Sequence, residues 1–365
     1  MRLWFGLTCL IACALPFVAC GSNDSESGPA PLPITGADAS VSSEAAADAG
    51  CASDLVADPK NCGRCGHDCL GGTCMAGACQ PIRLAVDRSN LLWMTIDATH
   101  VYFCENAVQR LGRVPKAGGA VELVSSSCSF QPASAVIDDT TIFVNDSAGV
   151  RAVPKVSLGA GTLILPGAVA VASDATSLFV LRTVEPVVAG MSSVTELARS
   201  AKPNGTPVAI ARAGGTTRFA QDATTLYAAA SDGIHQFAKN PAAGVDAGSS
   251  LLVANAEPAD LAVDSTYVYY ASRTTGSVKR VTKVGGISDV MASGVDAPTA
   301  IAVDASGIYF ASEDGGLIMS CPLTGCPGDP LILAERQAQP YAIAVDDVAV
   351  YWITRRGGTV MRVAK

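Results

Sequence analysis

The chain has 365 residues, with 25 Lys and Arg against 33 Asp and Glu, a formal net charge of −8. That length allows a full core in one large domain or two smaller ones, and a weakly acidic chain with scattered basic residues lacks the electrostatic footprint of a nucleic-acid binder. Thirteen Cys are too many for a reducing cytosol and point to an oxidising compartment.

The N-terminus agrees with that compartment. One positive charge, Arg2, precedes an apolar stretch from Leu3 to Val18. The stretch is short for a membrane-spanning helix and fits a secretory signal over residues 1–19. It ends in Phe17-Val18-Ala19-Cys20-Gly21, which resembles the lipobox of bacterial lipoproteins, with Phe17 where that motif usually has Leu. The resemblance implies cleavage before Cys20, lipidation of Cys20 and, with Gly21 following, an outer-membrane lipoprotein facing the periplasm or the cell surface. An ordinary signal peptide cut nearby is the alternative. Residues 20–50 follow as a tether. From 21 to 50 there is no aromatic, Lys or Arg, and there are five acids. Such a segment cannot bury enough surface to order itself, and its reach is roughly 30 Å.

Residues 51–79 hold six Cys (Cys51, Cys62, Cys65, Cys69, Cys74 and Cys79) and few large apolar side chains. A module this small needs cross-links. Three disulfides are expected, with 15 pairings open. Zinc is the competing reading, because Cys62, Cys65, His67 and Cys69 have ligand-like spacing. The run from Asn61 to Gly66 resembles short Cys-rich modules beside repeat domains in secreted bacterial proteins, a resemblance that implies location rather than activity.

From residue 80 onward the chain repeats itself. An Asp is followed five positions later by Tyr or Phe seven times: Asp97/Tyr102, Asp138/Phe143, Asp174/Phe179, Asp222/Tyr227, Asp264/Tyr269, Asp304/Tyr309 and Asp346/Tyr351. Successive Asp lie 41, 36, 48, 42, 40 and 42 residues apart, the period of a propeller blade. Each unit reads as four strands: a small or β-branched run before the Asp, a second strand around the aromatic, an alternating third strand such as Ser277 to Lys283, and a fourth such as Asp289 to Ser293. The Asp ends the first strand, where its carboxylate accepts turn N–H groups; the aromatic packs between blades. A ring of calcium-binding carboxylates is the functional alternative for these Asp, and no other cofactor is expected.

The seventh unit stops at Lys365 after its third strand. Residues 82–86 resemble a fourth strand and are expected to complete the last blade, removing two exposed sheet edges. The expected fold is therefore all-β, a seven-bladed propeller over residues 80–365 behind a small disulfide-rich module. The runs "IAVD…VYYAS" and "IAVD…VYWIT" resemble seven-bladed propellers of the NHL type and of the YWTD type of the low-density-lipoprotein receptor, although Tyr351-Trp352-Ile353-Thr354 lacks the final Asp of the YWTD motif. Two further disulfides are expected, Cys104 with Cys128 and Cys321 with Cys326.

The ligand face of a propeller is built by loops between second and third strands and by connections between blades. The position four after each aromatic lies there and is polar in every unit: Asn106, Ser147, Thr183, Ser231, Arg273, Glu313 and Arg355. Arg273, Glu313, Arg355 and Arg356, with Glu105 and Asp232, form the candidate mixed-charge rim. Unit three is longer on this face by the apolar insertion of residues 183–194. Catalytic signals are thin. Of three His, His67 lies in the Cys module, His100 in a turn on the opposite face and His235 in a third strand. There is no HExxH, GxSxG or phosphate loop. The expectation is an envelope-anchored binding or scaffolding propeller for an envelope or extracellular protein or glycan. The alternative is a metal-dependent, lactonase-like hydrolase or lyase using Glu105, Asn106, Asn145, Asp146 and Glu313.

Overall fold

The computed structural model describes residues 54–126, 128, 135–156, 159, 161–184, 194–212, 218–242 and 248–365. The expected signal, the tether, Cys20, Cys51 and most of the insertion in unit three lie outside these residues. Asp48–Lys365 form one compact unit. Among the described residues no helix is long and apolar enough to cross a membrane.

The repeat folds as seven four-stranded antiparallel sheets. In blade five the strands are Pro258–Val263, Tyr267–Ser272, Ser277–Thr282 and Asp289–Ser293. First strands touch from blade one to blade three, from blade four to blade seven, and between blade seven (Pro340–Val345) and blade one (Leu91–Ile96); blades three and four join through a buried cluster of Phe179 and Leu181 with Leu226 and Phe237, so the array is a closed ring. The closing strand is Ile82–Ala85, which pairs with Thr359–Ala364 through Ile82↔Arg362, Arg83↔Met361 and Ala85↔Val360. It comes from the N-terminal side of the ring and supplies the outer strand that the last repeat lacks.

The aromatic of every repeat is buried, from 0% exposed at Phe179 to 5% at Tyr309. Tyr351 of blade seven clusters with Val101, Phe103 and Val114 of blade one; Tyr269 of blade five clusters with Ile301, Ile308 and Phe310 of blade six. Each such side chain, removed from water, stabilises the ring by about 1.5–3 kcal/mol.

The repeat Asp holds its own turn and also reaches across to the next blade. In blade one, Asp97 Oδ1 accepts the N–H of Thr99 and of His100, both at 2.8 Å, and Tyr102 Oη donates to Asp97 Oδ2 at 2.9 Å. Lys155 Nζ, from the end of the third strand of blade two, reaches the same carboxylate at 2.9 Å. The arrangement recurs as Lys202–Asp138, Lys239–Asp174, Lys283–Asp222 and Lys116–Asp346 at 3.2, 3.5, 2.8 and 2.6 Å, and as Lys365–Asp304. Most of these ammonium groups also lie over the partner blade's aromatic, at 5.0 Å for Lys116 over Tyr351 and for Lys202 over Phe143. Asp264 departs from the pattern. The corresponding position of blade six is Leu323, which packs on the cluster containing Tyr269 and the Cys321–Cys326 disulfide.

Two disulfides, Cys62–Cys74 and Cys69–Cys79, cross-link the N-terminal module. They use up Cys62 and Cys69, so the zinc reading does not hold; His67 Nδ1 instead shares a hydrogen bond with the Cys62 carbonyl at 2.6 Å. Cys65 is half-buried. The bonded cysteines share a buried cluster with Val350, Trp352 and Met361, and Arg362 donates to the Leu70 carbonyl. The module thus seats on blade seven, next to the closing strand. Cys104–Cys128 ties the second strand of blade one to the segment after its fourth.

Candidate binding site at the channel mouth

The central channel is a cavity of about 280 Å³ lined by first strands of all seven blades. Two backbone features shape its mouth. First, the first strand carries a bulge where it starts: pairing skips Leu92, Val169, Ala259, Thr299 and Tyr341 in blades one, three, five, six and seven. Bulges re-aim the skipped side chain out of the ladder, and in blade seven that side chain is Tyr341. Second, the residue just before the first strand is left-handed in four blades, at Asn90, Glu257, Ala297 and Gln339, with φ between 44° and 59°. Each costs roughly 1–2 kcal/mol as a non-glycine residue, and three of them aim a carbonyl at the loop between second and third strands. Asn106, Glu313 and Arg355 donate their N–H to Asn90, Ala297 and Gln339 at 3.2, 3.0 and 2.8 Å. In blades one, six and seven the polar position four after the aromatic is therefore pinned to the mouth by main-chain bonds.

Three members of the candidate rim meet there. Glu313, only 4% exposed, accepts Arg273 Nη1 on one carboxylate oxygen and lies 3.7 Å from Arg355 Nη1 on the other. Arg273 also reaches Asp314 at 3.3 Å, and the Glu313 hydrogen bond raises its pKa further above the ordinary arginine value. The Arg355 guanidinium sits 5.4 Å from the Tyr341 ring centre, and Arg218 lies 6.0 Å from it. A continuous chain, Arg218–Tyr341–Arg355–Glu313–Arg273, joins blade four across blade seven to blades six and five.

The remaining candidates do not join this cluster. Glu105 is buried and faces Arg88 at 3.5 Å in a groove of about 490 Å³ between the closing strand and blade one. Asn106 begins a 3₁₀ turn, Asn106–Val108, and its Oδ1 is buried without a hydrogen-bond partner. Asp232 is exposed and pairs with His235 Nε2 at 2.8 Å, a contact that lowers its pKa. Arg356 is exposed. Of the metal-site alternative, Asp146 is taken by Arg151 at 2.5 Å and Glu313 by its two arginines. Asn145 is 1% exposed with neither amide atom bonded. Among the described residues, the one cluster of His, Cys, Asp and Glu with metal-like spacing is that of Cys62, Cys69 and Cys79, and these are disulfide-bonded.

Two residues of the mouth were not legible as site residues. The position four before the repeat Asp is Trp93, Ala170, Ala300 or Ala342 in blades one, three, six and seven, but Arg218 in blade four and Asp260 in blade five; Trp93, Arg218, Asp260 and Ala342 line the channel. Aligning that column by its distance from the repeat Asp would have shown both. Asp260 Oδ2 accepts the Ile301 N–H at 3.1 Å. Its remaining exposure faces the channel rather than bulk water. That desolvation pushes its pKa up, against the opposing effects of Arg218 and the Ile301 N–H.

No protein-family model matches this chain, and no curated protein matches it. Solved structures share the fold at low identity. A streptogramin B lyase is 13% identical at a TM-score of 0.57 over 78% of this chain and 97% of its own. Virginiamycin B lyase from Staphylococcus aureus, in a catalytically inactive form with quinupristin, is 10% identical at 0.56 over 78% and 98%. YCF48 bound to D1 peptide is 12% identical at 0.57 over 78% and 94%. These likenesses show the propeller fold and nothing finer.

Proposed function

We propose that this chain is an NHL- or YWTD-like binding propeller held at the bacterial envelope by a lipidated Cys20, with residues 1–19 as signal, 20–50 as tether, 51–79 as a disulfide spacer and 80–365 presenting the channel mouth to a protein or glycan. The observation that carries it is the Arg273–Glu313–Arg355–Tyr341 cluster. Its arginine side chains are 48% and 44% exposed on a buried carboxylate, so they are held in place yet open to a partner. Arg and Tyr are the residue types that concentrate binding energy at interfaces. A propeller of this fold that was solved with a bound peptide supports the reading.

The test is capture from detergent-solubilised envelope by the wild-type chain and by Arg273→Glu/Arg355→Glu. A partner held by the first and lost by the second is expected; equal capture by both overturns the reading. Labelling with radioactive palmitate, lost on Cys20→Ala, checks the anchor. A metal-dependent hydrolase or lyase is the second reading, favoured by the unbonded amide of buried Asn145 and by the lyases that share the fold. A stoichiometric divalent ion in the purified chain, released by chelation, would decide for it.

A further inference from the structure

Arg218 and Asp260 occupy the same repeat position in adjacent blades and line the same channel cavity. Among the described residues neither makes an ion pair, although the ionisable side chains at the rim above are mostly paired. A charged group held inside protein without a counter-charge is costly. Here two of opposite sign share one cavity beyond ion-pair distance, near enough for Arg218 to lower the Asp260 pKa but not to bond it. A simple cation drawn to Asp260 would be repelled by Arg218, and a simple anion drawn to Arg218 would be repelled by Asp260. A molecule carrying both charges satisfies both. Apart from Gln221, whose Oε1 is buried without a hydrogen-bond partner, the rest of the wall is apolar and includes Trp93, Ile301, Ala342 and Ile343. At about 280 Å³ the cavity is just below the range of drug-sized sites, roughly 300–1,000 Å³, which limits the guest to a small molecule.

We infer that the channel binds a small zwitterion of the α-amino-acid class, its ammonium on Asp260, its carboxylate on Arg218 and its side chain against Trp93 and Ile301. This rests on the channel mouth being the ligand face and names a ligand for its inner part. The Tyr341 ring and the Arg355 guanidinium stand above it, so a bound zwitterion would sit beneath the surface offered to a larger partner.

The test uses the full chain with free L-leucine, L-glutamate and L-lysine, and with N-acetyl-leucine and leucinamide, by calorimetry and thermal unfolding. At least one free amino acid is expected to bind and to raise Tm by about 5 °C at a hundredfold excess over Kd. The acetyl and amide forms, each lacking one charge, are expected to bind at least about tenfold more weakly, as are Asp260→Asn and Arg218→Gln. Absence of binding by every free amino acid, or equal binding of the acetyl and amide forms, overturns the inference without reliance on any variant folding. The two readings separate cleanly: failed amino-acid binding with partner capture still sensitive to Arg273→Glu/Arg355→Glu removes the zwitterion alone, and the opposite pair of results removes the rim alone.

Discussion

Asp222→Asn tests the inter-blade staple most directly. The Asp222 carboxylate accepts the N–H groups of Thr224 and Thr225 at 2.9 Å, Tyr227 Oη at 3.2 Å and Lys283 Nζ at 2.8 Å. An Asn at this site keeps an oxygen for the two N–H groups but turns an amide NH₂ toward Tyr227 and Lys283, which are themselves donors. The Lys283 side chain is 20% exposed and that of Asp222 23%, so water replaces the lost contact only in part. A hydrogen bond to a charged group contributes about 1.5–3 kcal/mol, and we expect a loss of about 2 kcal/mol, or a fall in Tm of about 3–4 °C for a domain of this size. Asp264 is the internal control. It keeps the turn bonds to Thr266 and Tyr267 and the Tyr269 hydroxyl at 2.7 Å, but the next blade offers Leu323 where others offer lysine. Asp264→Asn should therefore cost about 1 kcal/mol less. Urea unfolding of both variants, with Lys283→Met and the Asp222→Asn/Lys283→Met double variant to complete the cycle, measures the difference. An equal cost at Asp222 and Asp264, or a coupling energy near zero, refutes the staple.

Other expectations follow from the same structure. All seven repeat Asp are held below their ordinary pKa: desolvation, the largest effect on each, raises it, and the turn N–H groups and, in six blades, the staple lysine more than offset it. A depressed folded-state value contributes stability that is fully present above the unfolded value near 3.9 and is lost as pH falls through the folded one. Denaturant midpoints should accordingly be flat from pH 7 to about 5 and drop steeply below about 4; a plateau continuing to pH 2 contradicts this. Cys104→Ser/Cys128→Ser, opening a bridge of sequence separation 24, should cost about 3 kcal/mol, and Cys321→Ser/Cys326→Ser, separation 5, about 2 kcal/mol, read from unfolding without reductant. Deleting residues up to Val86 strips the outer strand from Thr359–Ala364 and should drive the chain into aggregates through the bared edge, as size-exclusion chromatography against the full chain would show.

The repeat made the ring legible because its signals are local. The Asp and its turn lie within three residues, and the aromatic lies two further on. The closing strand could be read because the last unit was one strand short and residues 82–86 matched the missing pattern. The staples were not read, although every lysine sat at a fixed place at the end of a third strand. The partner of Lys155 is 58 residues away and that of Lys116 is 230, and a contact between blades leaves no spacing signal within one. Glu105 and Asn106 were placed on the rim by counting from Tyr102. The count located their height on the blade, but the 3₁₀ turn and the groove beside Arg88 decide which way they face. Asp232 pairs within its own blade, whose turn is tight enough for His235 to reach back to it.

The two faces of the ring differ in how closely they follow the repeat, and that difference says where to look for a ligand. On the staple face nearly every blade presents the same Asp, the same aromatic and a lysine from its neighbour. A surface made of seven near-identical parts offers little to tell one blade from another, and its charges already satisfy each other. On the opposite face the side chains differ from blade to blade, and the bulge of blades one, three, five, six and seven and the left-handed residue of blades one, five, six and seven vary the backbone as well. Arg218, Asp260, Arg273, Glu313, Tyr341 and Arg355 all come from blades four to seven. Blades one, three, six and seven give Trp or Ala at the channel position where four and five give a charge. Ring closure requires the repeated features and does not require these. Charges placed where a ring needs only small apolar residues lower its stability unless something binds them, so the departures from the repeat are the residues to mutate first when a ligand is sought.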